Sequence, residues 1–136
     1  MKVVLDTNVF VSSFLSQRGP PRKIIDLWKD GCLTWCLCAE ILEEYCEVLA
    51  RLGLAGTAEF ARLRELFKAR RNIAWTVIEN LLHVVHEDPD DDKFIECALA
   101  ADAGYLVSGD RHLKALESYR GVRILSPAAF LRVVGA

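Results

Sequence analysis

The sequence predicts an α/β fold, a three-layer α/β/α sandwich around a mainly parallel central sheet of about four or five strands. Short apolar runs rich in strand formers alternate with longer stretches of helical periodicity, the pattern of repeated strand–helix–strand units. The runs are apolar at consecutive positions, as in strands covered on both faces. Glycine and proline mark many of the boundaries between them, and right-handed crossovers then lay the strands parallel.

Each element follows in order. "MKVVLDTNVF" opens with a buried strand at Val3, Val4 and Leu5, and apolar residues return at Val9 and Phe10. Between them stand Asp6, Thr7 and Asn8, an unexpected polar interruption. "TNVFVSSFLSQRG" forms a short helix with Thr7 or Asn8 as its cap. "GPP" breaks the chain, and "PRKIIDLWKDG" is a second helix with an apolar stripe of Ile24, Ile25, Leu27 and Trp28, stopped at Gly31. "LTWCLC" is a second strand.

"AEILEEYCEVLARLG" is the clearest amphipathic helix: Ile41, Leu42, Tyr45, Val48, Leu49 and Leu52 keep helical spacing and Gly53 ends it. Thr57 opens another helix to about Arg71, which the pattern lets continue into "NIAWTVIEN". "LLHVVHE" is a short strand or an extended approach. "DPDDDKFIECALAADAG" starts with acids that suit a helix N-terminus and runs as a helix to Gly104. "YLVSGD" is a buried strand, "RHLKALESY" a short helix and "VRIL" a last strand. "SPAAFLRVV" closes the chain as a helix, with Ser126 as cap and Pro127 at its first position.

The 136 residues suit a single domain over 1–136, without repeats or low-complexity runs. A net charge of −2 excludes a generally basic nucleic-acid binder, so any basic surface must be local. No apolar run approaches the roughly 20 residues of a bilayer span, and no signal-peptide pattern opens the chain. The expectation is a cytoplasmic protein with no membrane contact. Five cysteines, an odd number, fit that compartment, and "CLTWCLC" lacks C-x-x-C spacing, so they read as packed thiols.

Two strands end in aspartate, at Asp6 and Asp110. In open parallel sheets ligands bind beyond the carboxyl ends of the strands, so both acids fall where a site is expected. Each could equally cap the helix that follows. In "EILEEYCEVL", Glu43 and Glu47 read as solvated charges, while Glu44 lies on the flank of the apolar stripe. In the acidic cluster, Asp91 shares a face with Phe94, Ile95 and Ala98, whereas Asp92 is turned toward Glu96 and Leu99. If Asp6, Glu44, Asp91 and Asp110 converge, their repulsion calls for a hard divalent cation, Mg²⁺ or Mn²⁺, which takes oxygen ligands. The motif offers no histidine or cysteine partner for zinc. Such an ion suits phosphodiester hydrolysis.

These stretches resemble the PIN-domain ribonucleases, and more narrowly the VapC-like toxins of toxin–antitoxin systems. The likeness runs nearly end to end through "LDTNVFVSSFL", "GPPRKIIDLW", "EILEEYCEVL", "DPDDDKFIECALAADAGYLVSGD" and "VRILSPAAFL". It implies a Mg²⁺- or Mn²⁺-dependent endonuclease acting on single-stranded RNA, a homodimer, and an antitoxin partner. By position it implies Asp6, Glu44, Asp91 and Asp110 as the acidic quartet, with Asp6, Asp91 and Asp110 on the metal. Relatives often read D-D-N where this chain has Asp91, Asp92 and Lys93 beside an extra acid, which makes Asp91 the safer assignment and leaves Asp92 as its alternative. Ser108 stands where threonine is usual, and Asn8 braces an acid.

RNA phosphates would be held by Arg22, Lys23, Arg111 and Lys114, each a weak candidate, with His112 beside the last two. Trp28, Trp35 and Trp75 read as core or dimer contacts before base-stacking platforms, and His83, His86 and His112 show no ligand pairing. Two other readings compete: a catalytically degenerate PIN-like module that binds RNA or protein, and a haloacid-dehalogenase-like phosphatase. The phosphatase needs a second aspartate two residues after Asp6, where this chain has Asn8.

Overall fold

A computed structural model describes residues 1–78 and 92–136. Among them, six strands form one sheet in the order β3-β2-β1-β4-β6-β5. They are β1 (Lys2–Leu5), β2 (Thr34–Leu37), β3 (Ile73–Trp75), β4 (Tyr105–Val107), β5 (Ser118–Tyr119) and β6 (Val122–Leu125). All neighbours are parallel except β5, which pairs antiparallel with β6. The helices are α1 (Thr7–Leu15), α2 (Pro20–Lys29), α3 (Ala39–Arg51), α4 (Ala58–Lys68), α5 (Asp92–Ala100), α6 (Arg111–Ala115) and α7 (Pro127–Val133).

The α/β class and the mainly parallel sheet are as expected, while the short strands β3 and β5 fall where no strand was expected. The helix expected from Thr57 stops at Lys68 and does not enter "NIAWTVIEN". Arg70 and Asn72 take left-handed backbone, at φ 54° and 53°, which no helix tolerates. Asn72 is then fixed from outside: its carbonyl accepts from Trp35 N at 2.8 Å and from Trp28 Nε1 at 3.0 Å. The chain is thereby delivered into β3. Residues 118–119, expected as the end of a helix, instead form β5 after Glu117 turns left-handed at φ 59°.

One face of the sheet carries an aromatic layer. Trp35 on β2 meets Phe10 of α1 at 5.7 Å between centroids, Trp28 of α2 at 5.0 Å and Phe67 near the end of α4 at 5.1 Å. Tyr45 of α3 stacks on Phe10 at 4.2 Å with the planes 13° apart. Tyr105, which shares a row with Val3, packs edge-on against Phe130 of α7. Trp28 and Trp35 are therefore core residues. Helix α5 covers the other face across β1, β2, β4 and β6. Cys36, Cys38 and Cys97 are buried there, and all five cysteines are free thiols.

The connectivity fixes where a site can lie. From β1 the chain steps outward through β2 to β3, then returns to place β4 on the other side of β1. Strand order reverses between β1 and β4, so a crevice opens beyond their carboxyl ends. Those ends are Leu5 and Val107. No described helix is long and apolar enough to cross a membrane.

Candidate active site

Asp6 directly follows β1, and its backbone N–H still donates to Val107 O across the β1–β4 junction at 3.0 Å. It is itself the N-cap of α1, in place of Thr7 or Asn8: its Oδ1 accepts from Asn8 N at 3.3 Å. Asn8 thus contributes its backbone N–H, while its residue is exposed. Ser108, fully buried, donates from Oγ to Asp6 Oδ2 at 2.6 Å, and the same Oγ accepts from Asp110 N at 2.9 Å. One hydroxyl so ties the two strand-end aspartates together.

Asp110 caps α6, with Oδ1 accepting from His112 N at 2.8 Å and Leu113 N at 3.1 Å. Its second oxygen, Oδ2, receives no hydrogen bond among the described residues. His112 takes part through its backbone. Asp6 and Asp110 therefore each cap the helix that follows, and both bond the Ser108 hydroxyl.

Glu44 reaches the same corner from α3. Its Oε2 accepts from Thr7 Oγ1, one residue past Asp6, and its Oε1 pairs with Lys93 Nζ at 2.6 Å. The flank position expected for Glu44 is what the fold gives it. Tyr45, beside it, donates from its hydroxyl to Leu5 O, so α3 is pinned to the residue before Asp6. Neither Thr7 nor Lys93 was singled out as Glu44's partner. Adjacency to Asp6 and to the acidic cluster was the available signal.

At the start of α5 the helical-wheel reading fails in part. Asp91 lies outside the described residues, as do the expected extended segment "LLHVVHE" and His83, His86, Asp88 and Asp90. Asp92, expected to turn away from the buried stripe, is buried at 4% exposure, and Glu96 one turn later likewise. The reason is that α5 is enclosed nearly all round from Asp92 to Ala98, so one face does not separate buried from solvated positions.

The basic candidates separate too. Arg22, expected on RNA, is committed elsewhere: it pairs with Glu59 at 2.5 Å and Asp26 at 3.6 Å, and donates to Ser13 O at 3.3 Å. It bolts α2 to α1 and α4. Lys23, Arg111 and Lys114 are exposed, the latter two on the helix that Asp110 caps.

Burial pushes the Asp6 carboxyl above its ordinary range, against the Ser108 and Asn8 hydrogen bonds, and the charges of Asp110 and Glu44 push it further. Lys93 pairs with Glu44 and so offsets part of this negative charge. A partly desolvated, oxygen-only donor set of this kind fits a hard divalent cation. Among the described residues no three acidic, histidine or cysteine side chains close into a complete ion-holding group. Among the described residues, the carboxylates that could contribute to holding such an ion are Asp6 and Asp110, joined through Ser108.

Fold and site together define a parallel α/β protein with an acidic centre at its topological switch point. The PIN domain model matches residues 2–112, and the chain belongs to that family. It is 30% identical over 117 residues to "Uncharacterized protein MJ1680" of Methanocaldococcus jannaschii, covering 85% of this chain and 75% of that one. Its fold is similar to the crystal structure of PAE2754 from Pyrobaculum aerophilum, with a TM-score of 0.58 at 17% identity, over 99% of this chain and 90% of that one. PIN domains are generally nucleases, so the family carries a nuclease-type hydrolase function.

Proposed function

We propose that this chain is a metal-dependent endoribonuclease that hydrolyses phosphodiester bonds of single-stranded RNA. The observation that carries the reading is the Asp6–Ser108–Asp110 chain of hydrogen bonds at the β1–β4 switch point. Asp6 and Asp110, with Asp91 or Asp92, would hold Mg²⁺ or Mn²⁺. When bound, the ion supplies a lowered pKa for water and neutralises charge on the leaving oxygen.

The chain's own residues do the rest. Ser108 fixes one oxygen of Asp6, and Asn8 N fixes the other, so the carboxylate is aimed before any ligand arrives. Glu44, gripped by Thr7 and Lys93, is the candidate acceptor for the proton of the attacking water. Burial of Asp6 and Ser108 keeps bulk water from competing for these oxygens. Lys23, Arg111 and Lys114 are the remaining cations for flanking phosphates. The reading extends to a cytoplasmic homodimer of single-domain chains acting as the toxin of a toxin–antitoxin pair.

The test is cleavage of a single-stranded RNA by the full chain with Mn²⁺ or Mg²⁺. Wild type is expected to cut only with the ion, and Asp6→Asn to lose at least about a hundredfold in rate. Ion-independent cleavage, or full activity in Asp6→Asn, would sink the proposal.

A further inference from the structure

A second concave surface lies along α3, on the flank that carries Leu42 and Cys46. A cavity of about 280 Å³ opens there between α3, α4 and β3. Leu42, Phe67 and Trp75 give it an apolar wall, and Arg64, Lys68 and Arg70 its charge, with no acid among the described lining residues. Trp75 is 41% exposed, although sequence reading favours a packed role for it.

The two arginines are held ready. The Arg64 guanidinium lies 5.1 Å from the centroid of the Phe60 ring, and that of Arg70 lies 5.8 Å from Trp75. A guanidinium steadied over a ring keeps its in-plane N–H donors free for a phosphate. Among the described residues neither arginine pairs with a carboxylate. Among the described residues Lys68 pairs with the exposed Glu65 at 3.6 Å, a contact worth little in water. In a chain of net charge −2 this is a local concentration of positive charge beside an exposed indole.

We propose that this cavity is an anchoring subsite for single-stranded RNA, taking one base against Trp75 and the flanking phosphates on Arg64, Lys68 and Arg70. A cationic groove with an aromatic platform is how single strands are held without sequence readout. Position favours RNA over an acidic peptide. Trp75 ends β3 in register with Leu37 of β2, on the same carboxyl rim as Asp6. With strands about 4.8 Å apart, Trp75 stands roughly 10 Å from the end of β1. A strand crossing α3, itself about 10 Å wide, reaches both places. The choice of ligand rests on the ribonuclease reading, but the binding does not require cleavage.

The experiment is fluorescence anisotropy of a labelled oligouridylate with the full chain in EDTA, where no cleavage occurs. Trp75→Ala is expected to weaken binding at least about fivefold, the effect of one lost stacked base, and the double variant Arg64→Glu/Arg70→Glu at least about fivefold through its lost phosphate contacts. Trp75→Phe, which keeps a platform, is expected to bind within about twofold of wild type. The double variant is also expected to flatten the dependence of affinity on salt. Unchanged affinity in Trp75→Ala and the double variant overturns the proposal, as does polyglutamate competing as well as the RNA at equal charge. A wild type that binds through these residues but cleaves no RNA with Mn²⁺ upholds the subsite and removes the nuclease reading. A wild type that cleaves while these residues are dispensable for binding does the reverse.

Discussion

Ser108 is the smallest part of the site and connects the most. Its hydroxyl donates to Asp6 and accepts from the backbone of Asp110, so one atom sets the spacing of two strand ends. Ser108→Ala is expected to leave the buried Asp6 oxygen without its donor. Isothermal titration should show Mn²⁺ affinity falling about 10–100-fold, the usual effect of losing a group that orients a ligand. Ser108→Thr, which keeps the hydroxyl, should restore it. Asp6 also makes stability depend on pH. Unfolded, it titrates near the ordinary carboxylate value of about 3.9, whereas burial raises its pKa in the folded chain. Below both values the two states bind the same proton. As pH rises through the window between them, the unfolded chain gives up its proton first. The stability present in acid is therefore lost across that window and stays lost at neutral pH. Without divalent ions, Asp6→Asn is expected to melt above wild type at pH 7, with the gap closing toward acid. A lower melting temperature for Asp6→Asn at pH 7 would contradict this account of the carboxyl.

Helix α3 shows how an element is aimed at a site. Its apolar residues Ile41, Tyr45 and Leu49 are buried, which leaves Glu44 on the margin between core and crevice. The Tyr45 hydroxyl fixes the helix to Leu5 O, one residue before Asp6. Tyr45→Phe should cost about 1 kcal/mol in denaturant unfolding, and a larger drop in RNA cleavage than in stability would show that the bond also positions Glu44. Elements with strong periodicity and good caps could be read directly: β1, β4 and β6, the start of α4 at Thr57, and α7 behind Ser126 and Pro127. β3 could not, because it depends on Asn72 being held by Trp28 and Trp35, partners remote in sequence. Asp6 and Asp110 were visible as acids at strand ends and Glu44 as a flank residue. The burial of Asp92 was not visible, since a wheel assumes one wet face and α5 has almost none. The pairing of Arg22 with Glu59 was not visible, because a charge says nothing about a partner that comes from another helix.

Across the whole molecule, the topology gathers like charges that local chemistry would keep apart. β1 and β4 become neighbours only because the chain turns back at the centre of the sheet, and α3 and α5 then bring Glu44 and Lys93 to the same crevice. The family match over residues 2–112 spans every one of these segments and stops short of β6 and α7, which complete the sheet and its cover. A fold that concentrates carboxylates in this way is least content without a cation, and binding to the folded state alone must stabilise it. The most direct measurement is the thermal unfolding of the full chain at pH 7 as Mn²⁺ is titrated. Wild type is expected to gain about 2.7 kcal/mol at a hundredfold excess over Kd, with little gain in Asp6→Asn or Asp110→Asn. Equal responses in all three proteins, or none in any, would contradict a divalent-cation centre built from the two strand-end aspartates.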